Sequence, residues 1–187
     1  MTTYNVQPLR DKTEIDDFLF WLRRTSNPKR DVFLFVFGIN TGLRMSDIVK
    51  LKVGDIRGDV NPIIVEKKTG KKRQLFLGPL QEQIQEYTKG MADSDWLFPS
   101  RNGRGSNHIQ VQTVYKLYDK VAKQLGRGDI GTHTIRKTFG YHYYRKTHDI
   151  AMLMYIFNHS SESVTKRYIG ITQDEIGNSL EGFKIGF

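Results

Sequence analysis

A mainly α-helical domain with one small antiparallel β-sheet (α+β) is the fold class that this sequence predicts, on three observations. Apolar residues recur at helical spacing, bounded by capping residues, in segments from residue 13 to residue 180. Two short apolar runs, residues 62–66 and 74–78, flank one glycine-containing turn, the pattern of a single hairpin. With 187 residues, 38% apolar and 12% aromatic, the chain can bury one core, so residues 1–187 are expected to form a single domain.

Thr13 is expected to cap a first helix in which Ile15, Phe18, Leu19 and Leu22 face inward, with Arg23 and Arg24 suiting its C-terminal end. Pro28 opens a second segment whose stretch from Val32 to Ile39 is apolar on nearly every side. That pattern fits a buried helix or a buried strand, and the capping signals select helix. Gly42 stops it, and Ser46 is expected to cap a short helix through Asp47, Ile48, Val49 and Leu51. Arg44 falls in the turn between them. Arginines in such turns are mostly solvated, but a helix N-terminus nearby adds donors that can hold an anion.

The hairpin tip from Lys67 to Arg73 is strongly cationic, with Lys67, Lys68, Lys71, Lys72 and Arg73 around Gly70. It lacks the first glycine and the Gly-Lys-Ser/Thr ending of a phosphate-binding loop, and lysines there also discourage edge pairing. Pro79 opens a helix with Leu80, Ile84 and Tyr87 inward and Gly90 at its end, and Trp96 to Pro99 anchors the chain again. The loop from Arg101 to His108 lacks the third glycine of a dinucleotide fingerprint and offers Arg101 and Arg104 to phosphate.

A helix is expected from Ile109 to Leu125 with Val114, Leu117, Val121 and Leu125 as its buried stripe, and the Arg127-Gly128-Asp129 tripeptide after it reads as a chance match. Thr132 is expected to cap a helix that places His133 and Arg136 one turn apart on one face, with Lys137 beside them and Phe139 and Tyr143 as packing. Asp149 caps an apolar helix from Ile150 to Phe157 whose methionines and aromatics read as core. Ser160 or Ser161 then caps a helix carrying Val164, Thr165 and Tyr168, closed by Gly170. Thr172 and Glu175 form a capping-box pattern for a last helix through Leu180, which can pack at home or dock on a neighbour.

Lys+Arg 29 against Asp+Glu 20 leaves +9, which favours a polyanionic partner, nucleic acid before a membrane surface. The absence of cysteine excludes disulfides, thiolate metal sites and cysteine nucleophiles. There is neither a signal peptide nor a run of about 18 apolar residues, so a cytoplasmic, nucleoid-associated location is expected.

Taken in order, Arg44, Lys68, His133, Arg136, His159 and Tyr168 resemble the active-site set of the tyrosine recombinases, the phage-integrase family. Thr41-Gly42-Leu43-Arg44-Met45-Ser46-Asp47-Ile48 resembles the first arginine box, with Asp47 in its acidic position, and Lys68-Thr69-Gly70 resembles the hairpin lysine. His133-Thr134-Ile135-Arg136 resembles the His-x-x-Arg box, and His159-Ser160-Ser161, with Tyr168 nine residues beyond His159, resembles the histidine-to-nucleophile box. The resemblance covers about residues 10–182. Phe157-Asn158 replaces the usual Leu-Gly before the second histidine, and only a short leader precedes the catalytic region where many relatives carry a helical domain. Stand-alone integrases and invertases, or a fragment of a longer chain, both fit.

What the resemblance implies is a site-specific recombinase that cuts and rejoins duplex DNA through a 3′-phosphotyrosine. Tyr168 would be the nucleophile, Arg44 and Arg136 with His159 the stabilisers of the transition state, Lys68 the general acid, and His133 the general base or hydrogen-bond organiser. Asp47 would buttress a cation. Lys67, Lys71, Lys72, Arg73, Arg101, Arg104 and Lys137 would meet DNA. No metal, ATP or other cofactor is implied, whereas a tetramer on two duplexes is, with accessory DNA-bending proteins and exchange of residues 172–187 as further options. A type IB topoisomerase-like activity and a non-catalytic DNA-binding accessory are the rival readings.

Overall fold

The computed structural model describes residues 6–101 and 106–186, so Arg104 lies outside the described residues. The order is α1 (Lys12–Leu22), α2 (Pro28–Thr41), α3 (Met45–Ile48), β1 (Ile63–Val65), β2 (Lys72–Gln74), α4 (Gln81–Thr88), α5 (Val111–Gln124), α6 (Thr134–Thr147), α7 (Ile150–Phe157), α8 (Glu162–Ile169) and α9 (Ile171–Leu180). Among these, the two strands form one antiparallel sheet. The fold class is therefore mainly α with a small β-sheet, as the spacing predicts.

α2 is the central helix, entered through Asn27 and Pro28 and ended by Gly42 in the left-handed region at φ 60°. Its apolar girdle packs in several directions. Phe35 stacks on Phe18 of α1 at 4.7 Å, and Phe18 meets Tyr118 of α5 edge-on at 5.2 Å. Phe33 stacks on Tyr87 of α4 at 4.1 Å and faces Phe98. A smaller second cluster gathers Tyr141, Leu153, Phe157, Ile169 and Ile171 from α6 to α9. α6 joins the two: Ile135 lies in the first and Tyr141 in the second.

Close approach at α6 depends on Gly140. A Cβ there would lie 2.6 Å from Ile169 Cγ2 and 2.8 Å from Phe157 Cε2, both in the second cluster. Gly140→Ala is expected to destabilise the fold by about 1–3 kcal/mol through overpacking, read as a lowered urea midpoint with an unchanged slope.

Several boundaries differ from expectation. Asp11, not Thr13, caps α1, its carboxylate accepting from the Glu14 N–H at 2.9 Å. α3 begins at Met45 with Arg44 in the N-cap position and no side-chain cap, so Ser46 caps nothing. The second strand is Lys72–Gln74 rather than 74–78, in register Ile63 with Gln74 and Val65 with Lys72. The turn is tight, with Gly70 N–H donating to Glu66 O at 2.8 Å and Glu66 N–H to Lys71 O at 3.0 Å, which draws pairing toward the tip. Irregular bonds from Leu75 to Pro62 and from Leu77 to Val60 continue beyond it.

α5 runs Val111–Gln124, and Tyr118 rather than Leu117 is fully buried on its stripe. In α7, capped by Asp149 as expected, only Leu153 and Phe157 are buried, and Tyr155 is 84% exposed, which corrects the reading of that helix as core throughout. α9 starts directly after Gly170 without a capping box, because Glu175 instead accepts from Tyr144 O–H at 2.9 Å and pairs with Lys166 at 3.3 Å.

The entering segment is stitched to the same region. Gln7 N–H donates to Asp129 O at 2.8 Å, Leu9 N–H donates to Thr138 Oγ1 at 2.9 Å, and the Leu9 side chain is buried. Arg10 reaches the α8–α9 junction, donating to Gly170 O at 3.2 Å and pairing with Asp174. Arg127 turns toward Asp129 and Glu14 as ion pairs, so the Arg-Gly-Asp tripeptide is spent on the fold.

Candidate active site

Five elements supply the candidate set. Arg44 stands at the mouth of α3 and Lys68 at the hairpin tip; α6 supplies His133 and Arg136, and the α7–α8 turn and α8 supply His159 and Tyr168. His133 is not inside α6 on a face shared with Arg136, as the Thr132 cap implied. It occupies the N-cap itself, while Thr134 Oγ1 accepts from Gly131 N–H at 3.0 Å. That places the imidazole at the helix mouth, with Nδ1 3.2 Å from the Tyr168 hydroxyl.

Burial lowers the His133 pKa, and the charges of Lys137, Arg136, Arg44 and Lys68 lower it further. The ring is therefore neutral at pH 7, and in the tautomer with its proton on Nε2 the Nδ1 accepts from the Tyr168 O–H. Burial raises the Tyr168 pKa, opposed by Arg136 and Arg44 and by a hydrogen bond from Arg136. The phenol thus sits between a proton acceptor and two guanidiniums, packed edge-on against the His159 and Phe157 rings at 5.2 and 5.7 Å.

Arg136 is 3% exposed. It donates to the carbonyls of Gly42 and of Phe157, the latter at 3.1 Å, and lies 4.2 Å over the Phe157 ring. Burial pushes its pKa down to about 10, so it remains charged at pH 7. His159 Nδ1 lies 3.1 Å from Thr165 Oγ1, whose own proton goes to the Ser161 carbonyl at 3.0 Å. Thr165 must then accept from Nδ1–H, which leaves Nε2 of the neutral ring without a proton. Burial, then Arg136 and Arg44, lower the His159 pKa as well.

These two lowered histidines give a pH prediction. A group whose folded pKa lies below its unfolded value of about 6.5 contributes stability that is complete above that pH and is lost as pH falls through the folded value. Thermal midpoints are expected to be level above about pH 6.5 and to fall below it. His133→Gln should make that fall shallower in the same scan.

Of the cations expected to meet DNA, Lys67, Lys71, Lys72 and Arg101 are exposed. Lys71 Nζ donates to Asn158 Oδ1 at 2.8 Å, and Asn158 holds the left-handed C-cap of α7 at φ 52°. Two others face inward. Arg73 pairs with Glu66 at 3.5 Å and donates to Thr41 O at 2.7 Å. Lys137 donates to Val6 O at 2.5 Å and lies 5.2 Å over the Tyr168 ring. Both side chains, part-buried, are also tied within the fold, Arg73 beneath the hairpin and Lys137 to the entering segment.

Asp47 Oδ1 accepts from Lys67 N–H at 2.8 Å, so the carboxylate fixes the hairpin rather than touching the tyrosine. Sequence reasoning missed Glu66 and Thr165. Glu66 was legible in principle: strand alternation puts it on the face of buried Ile64.

The model of the phage integrase family matches residues 10–175. The chain belongs to that family, the tyrosine recombinases. It is 46% identical over 171 residues to a probable integrase/recombinase, YoeC, of Bacillus subtilis, covering 90% of this chain and 92% of that one. Against the tyrosine recombinase XerA of Pyrococcus horikoshii it is 26% identical, over 83% of this chain and 55% of the other, so the chain spans about half of that relative. A crystal structure of XerA recombinase superposes with a TM-score of 0.71 at 17% identity, over 100% of this chain and 67% of that one. XerH site-specific recombinase in a post-cleavage complex with palindromic difH substrate gives 0.69 at 19%, over 92% and 51%. Both share the catalytic-domain fold. Among the described residues no helix is long and apolar enough to cross a membrane.

Proposed function

We propose that this chain is a site-specific recombinase that cuts and rejoins duplex DNA through a 3′-phosphotyrosine. The observation that supports this most is the Tyr168 hydroxyl, held 3.2 Å from a neutral imidazole and beside two guanidiniums. Arg44 and Arg136 take the non-bridging oxygens of the scissile phosphate, where permanently charged planar donors match the charge that develops. His159 joins them once the phosphate draws a second proton onto Nε2. The Tyr168 oxygen attacks phosphorus and its proton passes to His133 Nδ1. The bond from phosphorus to the 5′ oxygen breaks, and Lys68 protonates that oxygen. One phosphodiester replaces another, so a 5′ hydroxyl of a partner strand can reverse the steps without nucleotide hydrolysis.

Duplex DNA would lie across the exposed lysines of the hairpin and Arg101, in the cytoplasmic nucleoid. The last residue of α9 and the tail beyond it leave Leu180, Phe183 and Ile185 exposed. We read that stripe as the contact to a second copy, in a tetramer on two duplexes. Residues 1–187 act as one catalytic domain in this reading, with accessory DNA-bending proteins as further partners.

The test uses duplexes tiled across the DNA that flanks the gene, nicked a few nucleotides 3′ of each candidate phosphate so that the short 5′-hydroxyl fragment diffuses away. A detergent-resistant protein–DNA adduct is expected from the wild type and none from Tyr168→Phe. No adduct on any duplex would favour the non-catalytic accessory, and relaxation of plasmids lacking a recombination site would favour the topoisomerase.

A further inference from the structure

Glu66, the residue after β1, is 5% exposed, inside a site that must receive an anion. Its Oε2 accepts from Arg44 Nη1 at 2.8 Å and from the Thr69 hydroxyl at 3.0 Å, while Oε1 faces Arg73 Nη1 at 3.5 Å. Burial pushes this carboxyl up, but Thr69, Arg44 and Arg73 outweigh it and hold it below the usual range. Glu66 is therefore ionised and opposes the phosphate that Arg44 is there to bind. A buried ion pair is a poor source of net stability, since well-packed apolar replacements are often neutral or better. What Glu66 does provide is geometry. One oxygen is shared by the arginine at the mouth of α3 and by the residue next to Lys68. Binding through Nη1 also leaves the rest of the Arg44 fork for phosphate.

We propose that Glu66 is a positioning residue that moors the Lys68 turn to Arg44, so that the ammonium meets the departing 5′ oxygen of the phosphodiester the arginines hold. The proposal rests on the phosphotyrosine reading above. Glu66 touches neither the nucleophile nor the phosphate; it acts through Lys68. Asp47 holds the Lys67 N–H at the foot of the turn, while the side chains of Lys67 and Lys68 are exposed, so the Thr69 hydroxyl is the side-chain tie nearest the Lys68 ammonium. General acid catalysis requires hydrogen-bond reach of the leaving atom, so a small displacement of the turn is felt as lost protonation.

The test compares a nicked duplex carrying the ordinary 5′ oxygen with one carrying sulfur at the bridging 5′ position, whose thiolate leaves with little need of a proton. Glu66→Gln keeps the size of the side chain and removes its charge. Thr69→Val removes a hydroxyl that donates to Glu66 and accepts from Lys71 N–H at 3.3 Å within the turn, and it leaves the ion pairs of Glu66 with Arg44 and Arg73, so it guards against a defect in the buried charge cluster. Both are expected to slow adduct formation on the oxygen substrate by about 10- to 100-fold, a part of the roughly 100- to 10,000-fold ascribed to general acid–base catalysis. Both should approach wild-type rates on the sulfur substrate, and Thr69→Ser should restore the oxygen rate. Lys68→Ala combined with Glu66→Gln should be no slower on oxygen than Lys68→Ala alone, because both act on one proton transfer. Equal slowing on both substrates, or no slowing on either, would overturn the proposal while the wild-type adduct left the phosphotyrosine reading standing. Absence of any wild-type adduct would overturn both.

Discussion

Tyr168→Phe is expected to abolish the covalent adduct, to below detection on a denaturing gel, while changing stability by no more than about 1 kcal/mol. The asymmetry follows from where the side chain makes its contacts. The ring supplies the packing: it meets His159, Phe157 and Lys137, and phenylalanine keeps each of these faces. The hydroxyl supplies the chemistry, since that oxygen lies 3.2 Å from His133 Nδ1 and its anion is favoured by the Arg136 and Arg44 charges. Removing it deletes the nucleophile and leaves His133, which is solvent-exposed, able to turn to water, while Arg136 keeps its bonds to the Gly42 and Phe157 carbonyls. Equal urea midpoints with no adduct would bear this out. A large fall in midpoint would mean that the hydroxyl holds α8 in place.

Arg136→Lys is expected to fail on both counts. Its guanidinium spans the carbonyls that end two helices, Gly42 after α2 and Phe157 at the end of α7, while stacking on the Phe157 ring. A lysine carries one compact ammonium, which cannot reproduce a planar two-pronged contact and is itself costly to bury. Loss of one transition-state donor is worth about 100- to 1,000-fold in rate. A buried carbonyl left without a partner adds about 1–3 kcal/mol of instability. Single-turnover adduct formation and urea unfolding measure the two effects separately. By contrast Arg44, whose bond is to the Glu66 carboxylate rather than to helix-end carbonyls, should lose rate with little loss of fold on change to lysine.

How much of this was legible in the sequence depends on whether the controlling contact was local. Helix ends with Gly42, Asp149, Ser161 and Gly170 were readable, because a cap is decided within a few residues. The candidate set of Arg44, Lys68, His133, Arg136, His159 and Tyr168 came from four boxes, each local in the sequence. The local pattern failed where a distant partner competed for the same group: Glu175 left its capping box for Tyr144 and Lys166, and Lys137 turned from solvent to the Val6 carbonyl. Arg73 likewise looked like one more lysine-tip cation until Glu66 and Thr41 were seen beneath it. None of those pairings has a short-range signature. The His133 position at the mouth of α6 also depends on one hydrogen bond from Gly131 that no capping rule ranks first.

The tie between Arg10 and the α8–α9 junction bears on how the chain is handled. The guanidinium that binds Gly170 O and Asp174 belongs to the entering segment, yet Gly170 is two residues beyond the tyrosine. Trimming the front of the chain past residue 10, or hanging an affinity handle there, is an operation on the tyrosine's own mooring. Expression boundaries and fusion partners chosen for convenience at that end belong among the variables of any assay of this protein.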